Sequence, residues 1–184
     1  MNVTLCLPRV WSTAIDADME DVMKLFKLIV PCLLALALAT PTLAAGTVIK
    51  VKLADVGGTM DMSKGLGLGI GMGGDMKMAI MSVVVDKKTV KAGKVTFEVT
   101  NISKETVHEL IVSPISDANE TLPYLNTENR VDEEHGSHLG EVSELEPGKS
   151  GALTVTLKPG MYALFCNIPN HYMDGMWTLL TVTK

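Results

Sequence analysis

From Val48 onward the chain is written in short runs whose apolar residues recur at every second position. VIKVKL (Val48–Leu53), VTFEVT (Val95–Thr100), VHELIV (Val107–Val112), GALTVTL (Gly151–Leu157) and WTLLTVT (Trp177–Thr183) follow this pattern. Period two sends alternate side chains to opposite faces of an extended chain, so these runs read as strands with one face buried. MAIMSVVV (Met78–Val85) and MYALFC (Met161–Cys166) read as further strands. Turn sequences stand between the runs: Val90-Lys-Ala-Gly, Asn101–Thr106, Leu145-Glu-Pro-Gly-Lys-Ser and Lys158-Pro-Gly. Short strands joined by such turns predict an all-β fold, an antiparallel sandwich or barrel. No internal repeat and no heptad pattern is present.

Two stretches interrupt the pattern. Gly57–Gly74 (GGTMDMSKGLGLGIGMGG) holds eight of the sixteen glycines and is read as a loop, because each glycine costs a helix about 1 kcal/mol relative to alanine. Ser113–Gly140 is polar, contains Pro114, Pro123 and the charged run Glu128–His135, and is read as an excursion with room for a short helix.

The apolar share of 47% owes part of its size to one N-terminal segment. Met23–Lys27 (MKLFK) is basic, Leu28–Ala39 is apolar, and small residues follow through Ala44 and Ala45. That order is a secretory signal peptide, over residues 23–45. The apolar run, about 12 residues, falls short of the roughly 20 that span a bilayer, so no membrane span is expected after cleavage. Residues 1–22, with Asp16, Asp18, Glu20 and Asp21, fit poorly before such a leader and read as an extension arising from a mis-assigned start, translation beginning at Met23. The mature protein is then one exported domain, residues 46–184, periplasmic in a cell with that compartment. Beyond Ala44, thirteen Lys and Arg face seventeen Asp and Glu, a net charge of −4. A mildly acidic domain with few aromatic residues gives no support for nucleic-acid binding.

Removal of the leader takes Cys6 and Cys32 and leaves Cys166 alone. A single cysteine in an oxidising compartment has no internal partner, so it is inert in the core, reactive, or bound to metal. The stretch CNIPNHYMDGM places Cys166, His171 and Met176 five residues apart in a loop between two strands. A thiolate, imidazoles and a weak thioether in a trigonal arrangement suit a copper ion that cycles between Cu(I) and Cu(II). A second imidazole can come from His108, His135 or His138. His108 follows a turn and opens a strand, which can hold it rigidly beside the cysteine loop; His135 and His138 lie in the polar excursion. The ligand set read from the sequence is therefore His108, Cys166, His171 and Met176. Each has a plainer reading: a core cysteine, a loop histidine, a packed methionine and an edge histidine.

These residues carry a resemblance. His108 with Cys166-x4-His171-x4-Met176 resembles the cupredoxins, the blue type 1 copper proteins of the plastocyanin and azurin kind. CNIPNH is similar to their Cys-Asn-x-Pro-x-His loop, and the two four-residue gaps are most similar to the auracyanin and rusticyanin loop. VKAGKVTFEVTN and LKPGMYALFC also resemble strands flanking such a site, and the likeness extends over Val48–Lys184. One position departs: Glu109 follows the first histidine, where plastocyanin-like proteins commonly carry an asparagine that ties the two ligand loops. The resemblance implies a Greek-key β-sandwich, one copper ion, and a monomeric one-electron carrier rather than an enzyme. Its redox partners would dock transiently near His171, flanked by Ile168, Pro169, Tyr172 and Met173. The competing reading is copper binding for resistance, storage or delivery. It draws on His135 and His138 and on Met60, Met62, Met72, Met76, Met78 and Met81 in or beside the glycine-rich loop. The plainer reading of those methionines puts Met78 and Met81 in the core and the rest in an apolar cover over the site.

Overall fold

The computed structural model describes residues 46–57 and 64–184. The N-terminal extension and leader, residues 1–45, and Met60 and Met62 lie outside the described residues. Among the described residues there are eleven strands: β1 (Thr47–Asp55), β2 (Met81–Val85), β3 (Thr89–Lys91), β4 (Gly93–Asn101), β5 (His108–Ile115), β6 (Tyr124–Leu125), β7 (Arg130–Val131), β8 (Gly140–Leu145), β9 (Ser150–Leu157), β10 (Gly160–Phe165) and β11 (Trp177–Thr183). The helical content of the described residues is one 3-10 turn, Met76–Met78, capped by the Asp75 side chain on the Lys77 amide.

The strands form a four-stranded sheet in the order β2-β1-β4-β9, a five-stranded sheet in the order β3-β11-β10-β5-β8, and the small pair β6-β7. The two larger sheets face each other across one core. Ile49, Val51 and Leu53 of β1 and Val95, Phe97 and Val99 of β4 meet Leu110 and Val112 of β5, Tyr162 and Leu164 of β10 and Leu180 of β11. Strand β4 shows why: its Val95, Phe97 and Val99 are buried while Lys94 and Glu98 reach solvent, the alternation visible in the sequence.

The sheets are mixed rather than purely antiparallel. β1 runs parallel to β4, and β3 parallel to β11. Parallel neighbours need a long connection. Between β1 and β4 the chain supplies one by returning antiparallel as β2 and crossing to the other sheet as β3. The room for a short helix in the excursion is not used: between β5 and β8 it carries the β6–β7 pair.

β5 and β10 are buried on both faces. Their outward residues Ile111, Ala163 and Phe165 pack under Ile70 of the glycine-rich loop, Leu122 and Val131 of the excursion, and Tyr172. Among the described residues, the glycine-rich loop around Ile70 and the excursion thus form a third layer over the five-stranded sheet. The glycines permit its close approach. A Cβ at Gly69 would stand 2.7 Å from the Tyr172 ring, and one at Gly71, which has φ +73°, would stand 2.2 Å from the Asn119 carbonyl. Met81 is in the core as expected, whereas Met78 is 63% exposed because the 3-10 turn, not a strand, carries it. Among the described residues no helix is long and apolar enough to cross a membrane.

The turn that delivers His108 is held by Asn101, which is fully buried. Its Nδ2 donates to the Thr106 carbonyl at 2.8 Å and to the Leu145 carbonyl at 2.7 Å. Its Oδ1 accepts from the Ser103 amide at 3.0 Å and the Ser103 hydroxyl at 2.7 Å. Alanine at this position would leave several of these groups unpaired, each costing about 1–3 kcal/mol. Asn101→Ala is expected to lose roughly 2–4 kcal/mol in urea denaturation of the metal-free protein. A loss within error of zero would show that the turn is held by other means.

Candidate metal centre

Three strands bring the predicted donors to one end of the sandwich. β10 pairs with both β5 and β11, with Phe165 opposite Ile111 on one side and Trp177 on the other. The start of β5 therefore lies beside the chain that leaves β10. His108 is the first residue of β5, Cys166 follows β10, and His171 and Met176 lie in the loop that returns to β11.

His108, Cys166 and His171 form the cluster: one donor atom from each lies within 4.8 Å of the others. The two Nδ1 atoms are 3.2 Å apart, and Cys166 Sγ is 3.3 Å from His171 Nδ1. The three residues are at most 4% exposed. Imidazole nitrogens bind a first-row ion such as zinc at about 2.0–2.1 Å and thiolates at about 2.3 Å, so at tetrahedral to trigonal angles such donors stand roughly 3.3–3.7 Å apart. Two of the three separations are already close to this spacing and the third lies within 4.8 Å, so the cluster is suited to a single ion.

Met176 is fully buried and belongs to the same core as Cys166. Backbone hydrogen bonds link the loop residues directly. The Cys166 amide donates to the Met176 carbonyl at 3.1 Å, and the Met176 amide to the His171 carbonyl at 3.0 Å. His135 and His138 are exposed and stand apart from the cluster; His135 Nδ1 is 2.7 Å from Asp132 Oδ2.

The loop is fastened on three sides. Glu109 joins it to β5: its amide donates to Cys166 Sγ at 3.4 Å, and its Oε1 accepts from the Asn167 amide at 3.0 Å. The glutamate thus ties the two ligand segments. Asn167 joins the loop to β7, accepting from the Val131 amide at 2.6 Å and donating to the Val131 carbonyl at 2.9 Å. The glycine-rich loop closes the third side. The Leu66 amide donates to Asp174 Oδ1 at 2.9 Å, the Leu68 amide to the Met173 carbonyl at 2.8 Å, and the Ile70 amide to the Tyr172 hydroxyl at 2.8 Å. Trp177 Nε1 donates to the Leu68 carbonyl at 2.7 Å. Tyr172 accordingly faces the second core, while Pro169 is exposed and Ile168 and Met173 are half-buried.

Sequence reasoning missed Asp55, whose Oδ2 lies 3.4 Å from His108 Nε2. Nothing in the sequence marks it, because it closes a strand more than fifty residues before His108.

Burial sets the protonation states. It pushes the Cys166 thiol up to about 12, against the opposing amide of Glu109. It holds His171 down to about 4, with the His108 charge adding to the effect, and it lowers His108 against the pull of Asp55. The imidazoles therefore offer lone pairs at neutral pH, and the thiol stays protonated until a cation replaces its proton. Burial also raises Glu109 to about 7, with Glu141, Glu133 and Glu144 adding to it. A thiolate, two imidazoles and a neighbouring methionine are a donor set suited to a single copper ion.

No protein-family model matches the sequence, and no curated protein matches it. Solved structures similar to it include reduced auracyanin from Roseiflexus castenholzii, 22% identical over 77% of this chain and 99% of that one, with a TM-score of 0.45. Rusticyanin from Thiobacillus ferrooxidans is 17% identical over 76% of this chain and 79% of its own, with a TM-score of 0.46. Auracyanin A, a "blue" copper protein from Chloroflexus aurantiacus, is 18% identical over 76% of this chain and 100% of its own, with a TM-score of 0.45.

Two of these protonation states act oppositely on stability. His171 titrates near 4 folded and near 6.5 unfolded, so the unfolded chain binds more protons between these values and stability rises with pH there. Glu109 titrates near 7 folded and near 4.5 unfolded, so the folded protein binds more protons and stability falls as pH rises through that window. In the metal-free parent the two effects offset. Glu109→Gln removes the second, and its unfolding free energy is expected to climb relative to the parent between pH 4.5 and 7. Parallel pH profiles by chemical denaturation would contradict the assignment.

Proposed function

We propose that the mature protein is an exported type 1 copper protein that carries one electron at a time between redox partners. The observation that carries this reading is the buried His108–Cys166–His171 cluster, whose donor atoms already stand near the spacing that one ion requires. Met176, buried beside Cys166 and bonded through its backbone to Cys166 and His171, would supply a weak thioether donor to the ion. The ion, when bound, supplies a Cu(I)/Cu(II) couple.

The contribution of the chain is rigidity. Cys166, His171 and Met176 sit in a loop whose backbone is bonded to itself, to Glu109, to β7 and to the glycine-rich loop. Such a loop resists rearrangement when the charge of the ion changes. The burial of the donors supports electron transfer rather than catalysis, and the reading has the protein act as a monomer. Partners would dock over the loop near His171, where Ile168, Pro169 and Met173 reach solvent. Encounters of this kind are small and short-lived. The basic and apolar leader over residues 23–45 supports export to the periplasm.

The copper-loaded mature protein is expected to bind one copper and show an intense blue charge-transfer band. Cys166→Ser should abolish the band, and His108→Ala should open a position that added imidazole refills. Several colourless Cu(I) ions per chain would favour storage instead, and an unchanged spectrum in His108→Ala would exclude that residue.

The axial role has its own test. Met176→Gln offers a harder oxygen donor, which favours Cu(II), so the reduction potential should fall while the blue band survives. Met176→Leu should raise it. A tenfold change in the redox equilibrium is about 59 mV for one electron, well within reach of voltammetry. Equal potentials in all three proteins would make Met176 a packing residue only.

A further inference from the structure

Asp55 ends β1 on the side of His108 away from the cluster. His108 Nδ1 faces His171 Nδ1 at 3.2 Å, and its other nitrogen, Nε2, faces Asp55 Oδ2 at 3.4 Å. The His108 ring is fully buried and the Asp55 side chain is 3% exposed. The carboxylate is itself held, because its Oδ1 accepts from the Gly57 amide at 2.8 Å. The strand is held as well: the Leu53 carbonyl accepts from the Ile102 amide at 2.9 Å, in the turn that leads to His108. Asp55 therefore has a fixed position rather than the freedom of a surface carboxylate.

We propose that Asp55 is the positioning residue of the metal centre: it holds His108 in the tautomer protonated on Nε2, aims Nδ1 at the ion, and favours the oxidised state through its charge. The inference rests on the copper reading given above. A histidine ligand that donates its remote N–H to a carboxylate is fixed in ring orientation and becomes a stronger base. With the proton on Nε2, the Nδ1 lone pair is free, and in the metal-free protein it accepts from His171 Nδ1. A fixed negative charge next to a ligand stabilises the state with the greater positive charge, which is Cu(II). Glu109 and Asp174, the other carboxyl groups beside the donors, accept from the Asn167 and Leu66 amides rather than from a histidine nitrogen, so they do not duplicate this role.

The test uses the parent, Asp55→Asn and Asp55→Ala. Asparagine preserves shape and an acceptor oxygen but removes the charge. In the metal-free parent, nitrogen-15 NMR should find His108 protonated on Nε2, and Asp55→Ala should give a mixture of tautomers. With copper, Asp55→Asn should keep the blue band while its redox equilibrium moves about tenfold towards Cu(I), a rise of about 59 mV. A merely structural role would leave the potential of the asparagine variant at that of the parent. A redox equilibrium within twofold of the parent in both variants, or a His108 protonated on Nδ1 in the parent, would overturn the proposal. Absence of the blue band in the parent would instead refute the copper reading, and the tautomer measurement would still decide the role of Asp55.

Discussion

The buried donor cluster depends on the tie between the start of β5 and the chain that leaves β10. Glu109 makes both halves of it, with its amide on Cys166 Sγ and its carboxyl on the Asn167 amide. Sheet pairing alone brings Ile111 opposite Phe165, but pairing stops there, and His108 and Cys166 lie beyond its last rung. Glu109 carries the register past the end of the sheet. The cost is a carboxyl group out of water, which burial raises to about 7 and which the Asn167 amide partly offsets.

Burial shapes the chemistry of the ligands in the same way. Two imidazoles and a thiol can crowd within 4.8 Å of one another in the core only while they are uncharged, and burial keeps them so. A cation changes the balance, since it takes the thiol proton's place and compensates the thiolate. The site is therefore assembled in advance by packing and hydrogen bonds, and an ion has little ordering left to do.

The glycine-rich loop and the excursion give the sandwich a third layer, and that layer explains the stiffness of the ligand loop. Bonds from Leu66, Leu68 and Ile70 fasten 172–174 from one side, and the Val131 pair with Asn167 fastens the other. Glycine at position 69 is what lets the backbone come this close to Tyr172. The part of this segment from 66 to 70, read as loop from its composition, is in the fold packed onto the sheet.

Much of the fold was legible in the sequence because strands carry their own signal. The alternation of Val95–Thr100 and Trp177–Thr183 follows from one buried face, and the strands observed there agree to within a residue or two. β8 left no such signal: GEVSEL has Glu141, Ser143 and Glu144 in six residues, and only Val142 and Leu145 are buried. The parallel pairings left none either, since a strand's periodicity does not encode the direction of its neighbour. At the site, the Cys166–His171–Met176 spacing is local and could be read directly, as could His108 from its place at a strand's beginning. Asp55 and the work of Glu109 could not. Their partners lie 53 and 58 residues away; the first distance closes only when the two sheets pack, the second only when β5 and β10 pair within one sheet. Residue types and strand positions could be read along the chain, because they depend on neighbours in sequence. Which carboxylate meets which donor could not, because that depends on residues that folding brings together from distant parts of the chain.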